Sequence, residues 1–158
     1  DVHRALEPFP LIQRYAIERI PPHTLRVRIE ERDPVIALER DGQLGLVDPA
    51  GVLVATSAER PEGIPLGSGT VIDTASPAFH AAATVIRDMP GDLRAQLASV
   101  TASSPQDVEF TLTGGTRVIW GEGELTQRKS VVLRAILASV GPVALIDVAA
   151  PDTPVFRQ

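Results

Sequence analysis

Asp147 sits inside the apolar run Val143-Ala-Leu-Ile-Asp-Val148. A carboxylate there must accept hydrogen bonds or meet a cation, because its desolvation is otherwise uncompensated. A catalytic acid and a structural acid both fit that description. The structural reading is favoured, since no base, nucleophile or metal set accompanies Asp147. An arginine, Lys129 or the amides of a turn would serve as its partner. Glu30, Glu31 and Asp33, grouped around Arg32, are the second candidate. Paired carboxylates do acid–base work only in a cleft that separates their pKa values. Without such partners the group reads as a salt-bridged strand end.

The remaining chemistry is sparser. His3, His23 and His80 lie far apart, outside metal-ligand spacing and away from any motif serine. Ser57, Ser68 and Ser76 lack the G-x-S-x-G setting of a nucleophile elbow. "GEGELTQRKS" suggests a phosphate loop, but Arg128 occupies the place of the glycine before the lysine. Glu122 and Glu124 would repel phosphate where amides should cradle it. A strand-to-helix turn is the simpler reading. Cysteine is absent, which excludes disulfides, a thiolate nucleophile and a cysteine zinc site, and suits an exported domain. The net charge of −5 brings no basic patch for nucleic acid. No apolar run reaches membrane-spanning length and no signal peptide is visible. The 158 residues allow one ordinary domain or two small ones.

These residues need elements to position them. DVHRALEPF, residues 1–9, reads as a short helix ended by Pro8 and Pro10. Residues 11–20 have weak strand character. "TLRVRIEER" alternates Leu25, Val27 and Ile29 against Arg26, Arg28 and Glu30, a strand with one dry and one charged face. Pro21-Pro22 turns into it and Pro34 limits it. "VIALERDGQLGLVD" is a hairpin about Asp41-Gly42. Asp48-Pro49-Ala50-Gly51 turns again, and 52–54 return. Residues 56–70 read as a surface loop. Ser76-Pro77 opens a helix with Phe79, Ala82, Ala83 and Ile86 on one face, stopped at Pro90-Gly91. A short helix over 92–98 follows. "DVEFTLT" and "RVIWG" are strands about Gly114-Gly115. "TQRKSVVLRAILASVGP" is an amphipathic helix with the stripe Val132, Leu133, Ile136, Leu137 and Val140, capped by Gly141 and stopped by Pro142. Two short strands end the chain. Hairpins separated by helices, without βαβ alternation, indicate an α+β class. Exposed strands without an assembled active site favour a binding module over an enzyme.

Four stretches, in order, resemble one family. "RIPPHTLRVRIEERDPVIAL" resembles the last strand of a POTRA domain and its exit, through Pro22, Thr24, Leu25, Glu31, Arg32, Pro34 and Val35. "GLVDPAGVLV" resembles the hairpin that follows, through Asp48 and Gly51. "VIWGEGELTQRKSVVLRAIL" is similar to that family's strand, acidic turn and Lys-bearing helix. "LIDVAAPDTPVFR" is similar to its terminal Ile-Asp-hydrophobic strand and the strand after it. The family is FtsQ/DivIB, the bitopic cell-division proteins of bacteria, and the composition has an actinobacterial cast.

The resemblance implies a domain division: residues 1–37 as the C-terminal part of a POTRA domain, whose first strand and helix are missing from this sequence, and 38–158 as the family's β domain. It implies a septal scaffold without catalysis or cofactor, anchored by one N-terminal membrane helix that this sequence lacks. The implied partners are FtsB/DivIC-like and FtsL-like bitopic proteins and, through them, the septal peptidoglycan synthase. Partner contact would be strand addition at the C-terminal edge, Thr153, Pro154, Val155, Phe156 and Arg157, with Lys129 and Arg134 as rim contacts. Glu31, Arg32, Pro34, Asp48, Gly51 and Asp147 would be structural. Proteobacterial members carry an Arg-Tyr pair where this chain has Ala149-Ala150, so the anchors must differ. Two other readings compete with it: a POTRA-type chaperone module of a secretion or outer-membrane assembly system, and a cell-wall enzyme using Asp147 or Glu31 as acid.

Overall fold

A computed structural model describes residues 2–141 and 143–158. The helix stop assigned to Pro142 lies outside the described residues. Helix α1 (Val2–Leu6) precedes a two-stranded antiparallel hairpin, β1 (Ile12–Ile20) and β2 (Thr24–Glu31). The chain then builds β3 (Ile36–Arg40), β4 (Gln43–Val47), β5 (Leu53–Ser57) and β6 (Leu66–Gly69). Helices α2 (Pro77–Asp88) and α3 (Gly91–Arg94) lead into β7 (Leu97–Ala102), β8 (Val108–Leu112) and β9 (Arg117–Gly121). Helix α4 (Thr126–Val140) and strands β10 (Leu145–Asp147) and β11 (Val155–Arg157) complete it. Strands β3 to β11 form one mixed nine-stranded sheet in the order β11-β10-β9-β8-β7-β6-β3-β4-β5. The fold is α+β. The two sheets part between Glu31 and Ile36, so a division after residue 37 would cut β3.

One face of the large sheet is dry. Phe79, Ala82, Ala83 and Ile86 of α2 and Leu133 and Ile136 of α4 pack on Val100, Phe110, Val118, Trp120 and Ile146. Phe110 and Trp120 meet edge to face, with centroids 5.7 Å apart. Ser76 caps α2 by accepting the Phe79 amide at 3.0 Å, and Pro77 takes the first helical position, where its missing N–H costs nothing. Among the described residues, α2 and α4 both contribute to the core of this dry face. Residues alternating with the core, such as Thr101, Glu109, Thr111 and Arg117, keep the opposite face polar.

The Asp41-Gly42 turn takes positive φ at both residues, 51° and 77°, as a two-residue hairpin requires. Three expectations need correction. Residues 66–69 are not loop but β6, which joins the two halves of the sheet. Leu-Gly-Ser-Gly has no alternation to betray it; Gly67 is needed there because a Cβ would lie 2.7 Å from the Leu38 side chain. The helix expected over 92–98 is a single turn, α3, and residues 97 and 98 already belong to strand β7. The dry face of β2 is not dry: Leu25, Val27 and Ile29 are 49%, 38% and 50% exposed. Alternation marks a face for burial without supplying the surface that buries it.

Candidate partner-binding edge

The sheet ends at β11, and that edge is made by local geometry. After β10 the chain turns at Ala150–Thr153, closed by the Thr153 amide donating to the Ala150 carbonyl at 3.0 Å. β11 returns antiparallel with Leu145 opposite Arg157, Ile146 opposite Phe156 and Asp147 opposite Val155. The Ala144 amide donates to the Arg157 carbonyl at 3.0 Å, so the polar main-chain groups of Arg157 face β10. Successive strand residues alternate this direction. The N–H and C=O of Phe156 therefore point to the open edge. Pro154 shares that direction, so its missing donor is lost from the open side and not from the β10 ladder.

Side chains alternate too. Phe156 lies opposite Ile146, a fully buried core residue, so Phe156 belongs to the helix-bearing face. It is nonetheless 47% exposed, and Val155 on the other face is 51% exposed. Arg128 of α4 pairs with Asp152 in the turn before β11, tying the helix to this edge. The sequence brings Arg128 to notice only in the phosphate-loop comparison, and nothing in its spacing marks it as a contact of this edge.

The two expected rim contacts lie elsewhere. Lys129 is 1% exposed, and its ammonium donates to the carbonyls of Trp120 at 2.9 Å and Glu122 at 2.8 Å. It pins the turn ahead of α4 and has no surface to offer a partner. Burial pushes its pKa below the ordinary lysine value; Glu122, Glu124 and Asp147 oppose that shift. Arg134 is on the surface, but its guanidinium is held bidentately by Asp92 of α3 at 2.6 and 2.8 Å, on a different flank of α4 from Arg128. That contact holds the Asp92 carboxyl below the usual aspartate value.

The candidate acids have local partners. Asp147 accepts the Ala149 amide at 2.9 Å, a turn bond, and it is only half-buried, beside the exposed Val155 and off the core face, so its carboxylate is not stripped of solvent. Asp48 is 1% exposed and accepts from the Ala50 and Val52 amides at 3.0 and 2.8 Å and from Arg32 at 2.6 Å. It thus joins the exit of the hairpin to the large sheet. Gly51 has φ +80°, and a Cβ there would sit 2.8 Å from that of Thr74. Pro34 is half-buried in the link between the sheets, while Glu31 and Asp33 are exposed. Glu30, Glu31 and Asp33 border a cleft of about 270 Å³ that Arg87 and Arg94 also line. Arg87 is held by its neighbour Asp88 at 2.8 Å, and no ion pair among the described residues joins it or Arg94 to these acids. No group of metal-binding side chains occurs among the described residues.

A sequence profile described as "Cell division protein FtsQ/DivIB, C-terminal" matches residues 37–149, well over half of the chain. The chain belongs to the FtsQ/DivIB family. Cell division protein FtsQ of Streptomyces bingchenggensis is 34% identical over 146 residues, covering 87% of this chain and 55% of that protein. FtsQ of Mycolicibacterium smegmatis is 32% identical over 160 residues, covering 99% of this chain and 47% of its own. FtsQ of Mycobacteroides abscessus is 33% identical, with 99% and 51% covered. The chain thus spans about half the length of these FtsQ relatives, all of them actinobacterial. The FtsQ/DivIB family is one of membrane-anchored cell-division proteins; no helix among the described residues is long and apolar enough to cross a membrane.

Proposed function

We propose that this FtsQ/DivIB chain is the extracytoplasmic part of a non-enzymatic septal scaffold. It receives a strand from an FtsB/DivIC-like protein at the open edge of β11, and with FtsL-like proteins links division assembly to septal peptidoglycan synthesis. The observation that carries this is the outward N–H and C=O of Phe156 at the end of the large sheet. An unpaired edge gives main-chain hydrogen bonds for affinity, and alternate side chains give specificity. Residues 1–37 are the C-terminal part of a POTRA-like unit, and the exposed Leu25, Val27 and Ile29 form the apolar face that such a unit would bury. The test is a pull-down of the extracytoplasmic part of the FtsB/DivIC-like protein from the same organism. Phe156→Glu abolishes capture if β11 is the site; capture at the wild-type level rejects it.

A further inference from the structure

The side-chain chemistry of the β11 edge specifies more than a generic strand. Arg157 is exposed, and no carboxylate among the described residues lies within ion-pair distance of it. Its row on the open face runs inward through Leu145 to Arg117, directly opposite one another across β10 and β9. Arg117 is neutralised by Glu109 at 2.7 Å. The row therefore carries one unpaired positive charge, at its outer end. Directly opposite like charges destabilise a strand pair and opposite charges stabilise it, so a cation beside Arg157 is disfavoured and an acid favoured. The next residue inward along β11, Phe156, projects to the helix-bearing face, and Val155 returns to the open face; both are exposed apolar groups.

We infer that the strand accepted at this edge reads, from its N-terminus, acidic–apolar–apolar, running antiparallel to β11. The acid lies across from Arg157, the first apolar residue across from Phe156 beside α4, and the second across from Val155. The antiparallel direction is chosen because one partner residue then satisfies both the outward N–H and the outward C=O of Phe156, and antiparallel ladders are slightly the more stable. Arg157 then falls at a non-hydrogen-bonded position, where opposed side chains approach most closely. Arg157 is a specificity-determining residue in this arrangement, and the inference rests on β11 being the binding edge.

The experiment uses a displayed library of random seven-residue strands, selected on the whole 158-residue chain as wild type, Arg157→Glu, Arg157→Lys and Phe156→Pro. The wild type and Arg157→Lys should enrich Asp or Glu immediately before two apolar residues. Arg157→Glu should enrich Lys or Arg at that position. A peptide selected on the wild type should bind Arg157→Glu at least tenfold more weakly, and its acid-to-lysine version should reverse the preference. Arg157 is exposed at the end of the chain, so unchanged thermal unfolding of each variant shows that folding is not the cause. Phe156→Pro removes the outward N–H and should abolish enrichment. If wild type and Arg157→Glu enrich the same charge pattern while Phe156→Pro abolishes enrichment, the specificity claim is overturned and the edge stands. If Phe156→Pro enriches the same peptides as wild type, or no variant enriches any, the edge itself is rejected.

Discussion

The large sheet has two edges, and they are finished in different ways. β5 is five residues long, carries no charge and is set off by a register shift between Leu46 and Val47. By composition it is the less guarded edge, since natural sheets protect edges with charge and proline. Yet it leads directly from the Asp48 turn, and Asp48 is bound to Arg32 at the exit of the hairpin. Its Leu53 side chain lies over Gly45, 3.1 Å from where a Cβ would be. β11 is shorter and exposed at every residue, held by β10 and by one surface ion pair through its turn. One edge is thus anchored into the rest of the fold, while the other contributes little to it. An edge that stabilises the fold cannot easily be remodelled for a partner; an edge that does not is free to be.

The largest separation should come from Asp48→Ala. It removes a buried charge from Arg32 and two turn amides, at about 3–5 kcal/mol. Urea unfolding should show that loss, and the refolded fraction should bind partner normally. Phe156→Glu should do the reverse, weakening partner binding by about 2–4 kcal/mol, roughly 30- to 1,000-fold, with the unfolding midpoint unchanged. Ala55→Lys on β5 is its control and should leave binding intact in the same titration. Partner binding that fails with Ala55→Lys and survives Phe156→Glu would exchange the roles of the two edges.

Lys129→Met probes the helix beside β11 and should cost about 1–3 kcal/mol, because the Trp120 and Glu122 carbonyls lose their donor. The pH dependence has a defined sign. The folded-state pKa is lowered, so between that value and the ordinary 10.5 the unfolded chain binds more protons. The wild type should gain stability as pH rises through that window, and Lys129→Met should not. Below the window the cost of burying the ammonium is fully present. Unfolding curves of both proteins across alkaline pH measure the difference. Arg128→Ala should have the smallest effect, within about 1 kcal/mol by thermal unfolding, because its pair with Asp152 is largely exposed.

Much of this was legible in the residue pattern. The Asp41-Gly42 hairpin, the Ser76-Pro77 helix start and the strands around Phe110 and Trp120 each combine a turn or cap with alternation, and each formed. β6 was hidden because Gly67 and Gly69 carry no pattern, although the fold needs a residue without a side chain where Ile36, Leu38 and Val71 converge. The charge of Lys129 points to the surface, and the structure buries it. Its spacing to Leu133 and Ile136, four and seven residues on, already put it on the buried face of α4. The outward direction of Phe156 depends on strand pairing, which one sequence does not record.

The central claim is that a partner strand pairs with β11 at Phe156. Residue-resolved amide exchange, with and without the extracytoplasmic part of the FtsB/DivIC-like protein, reads this directly. The Phe156 amide faces solvent in the free chain and should become strongly protected in the complex, while β5 amides exchange as before. An unprotected Phe156 amide in a saturated complex, or new protection confined to β5, would contradict the account.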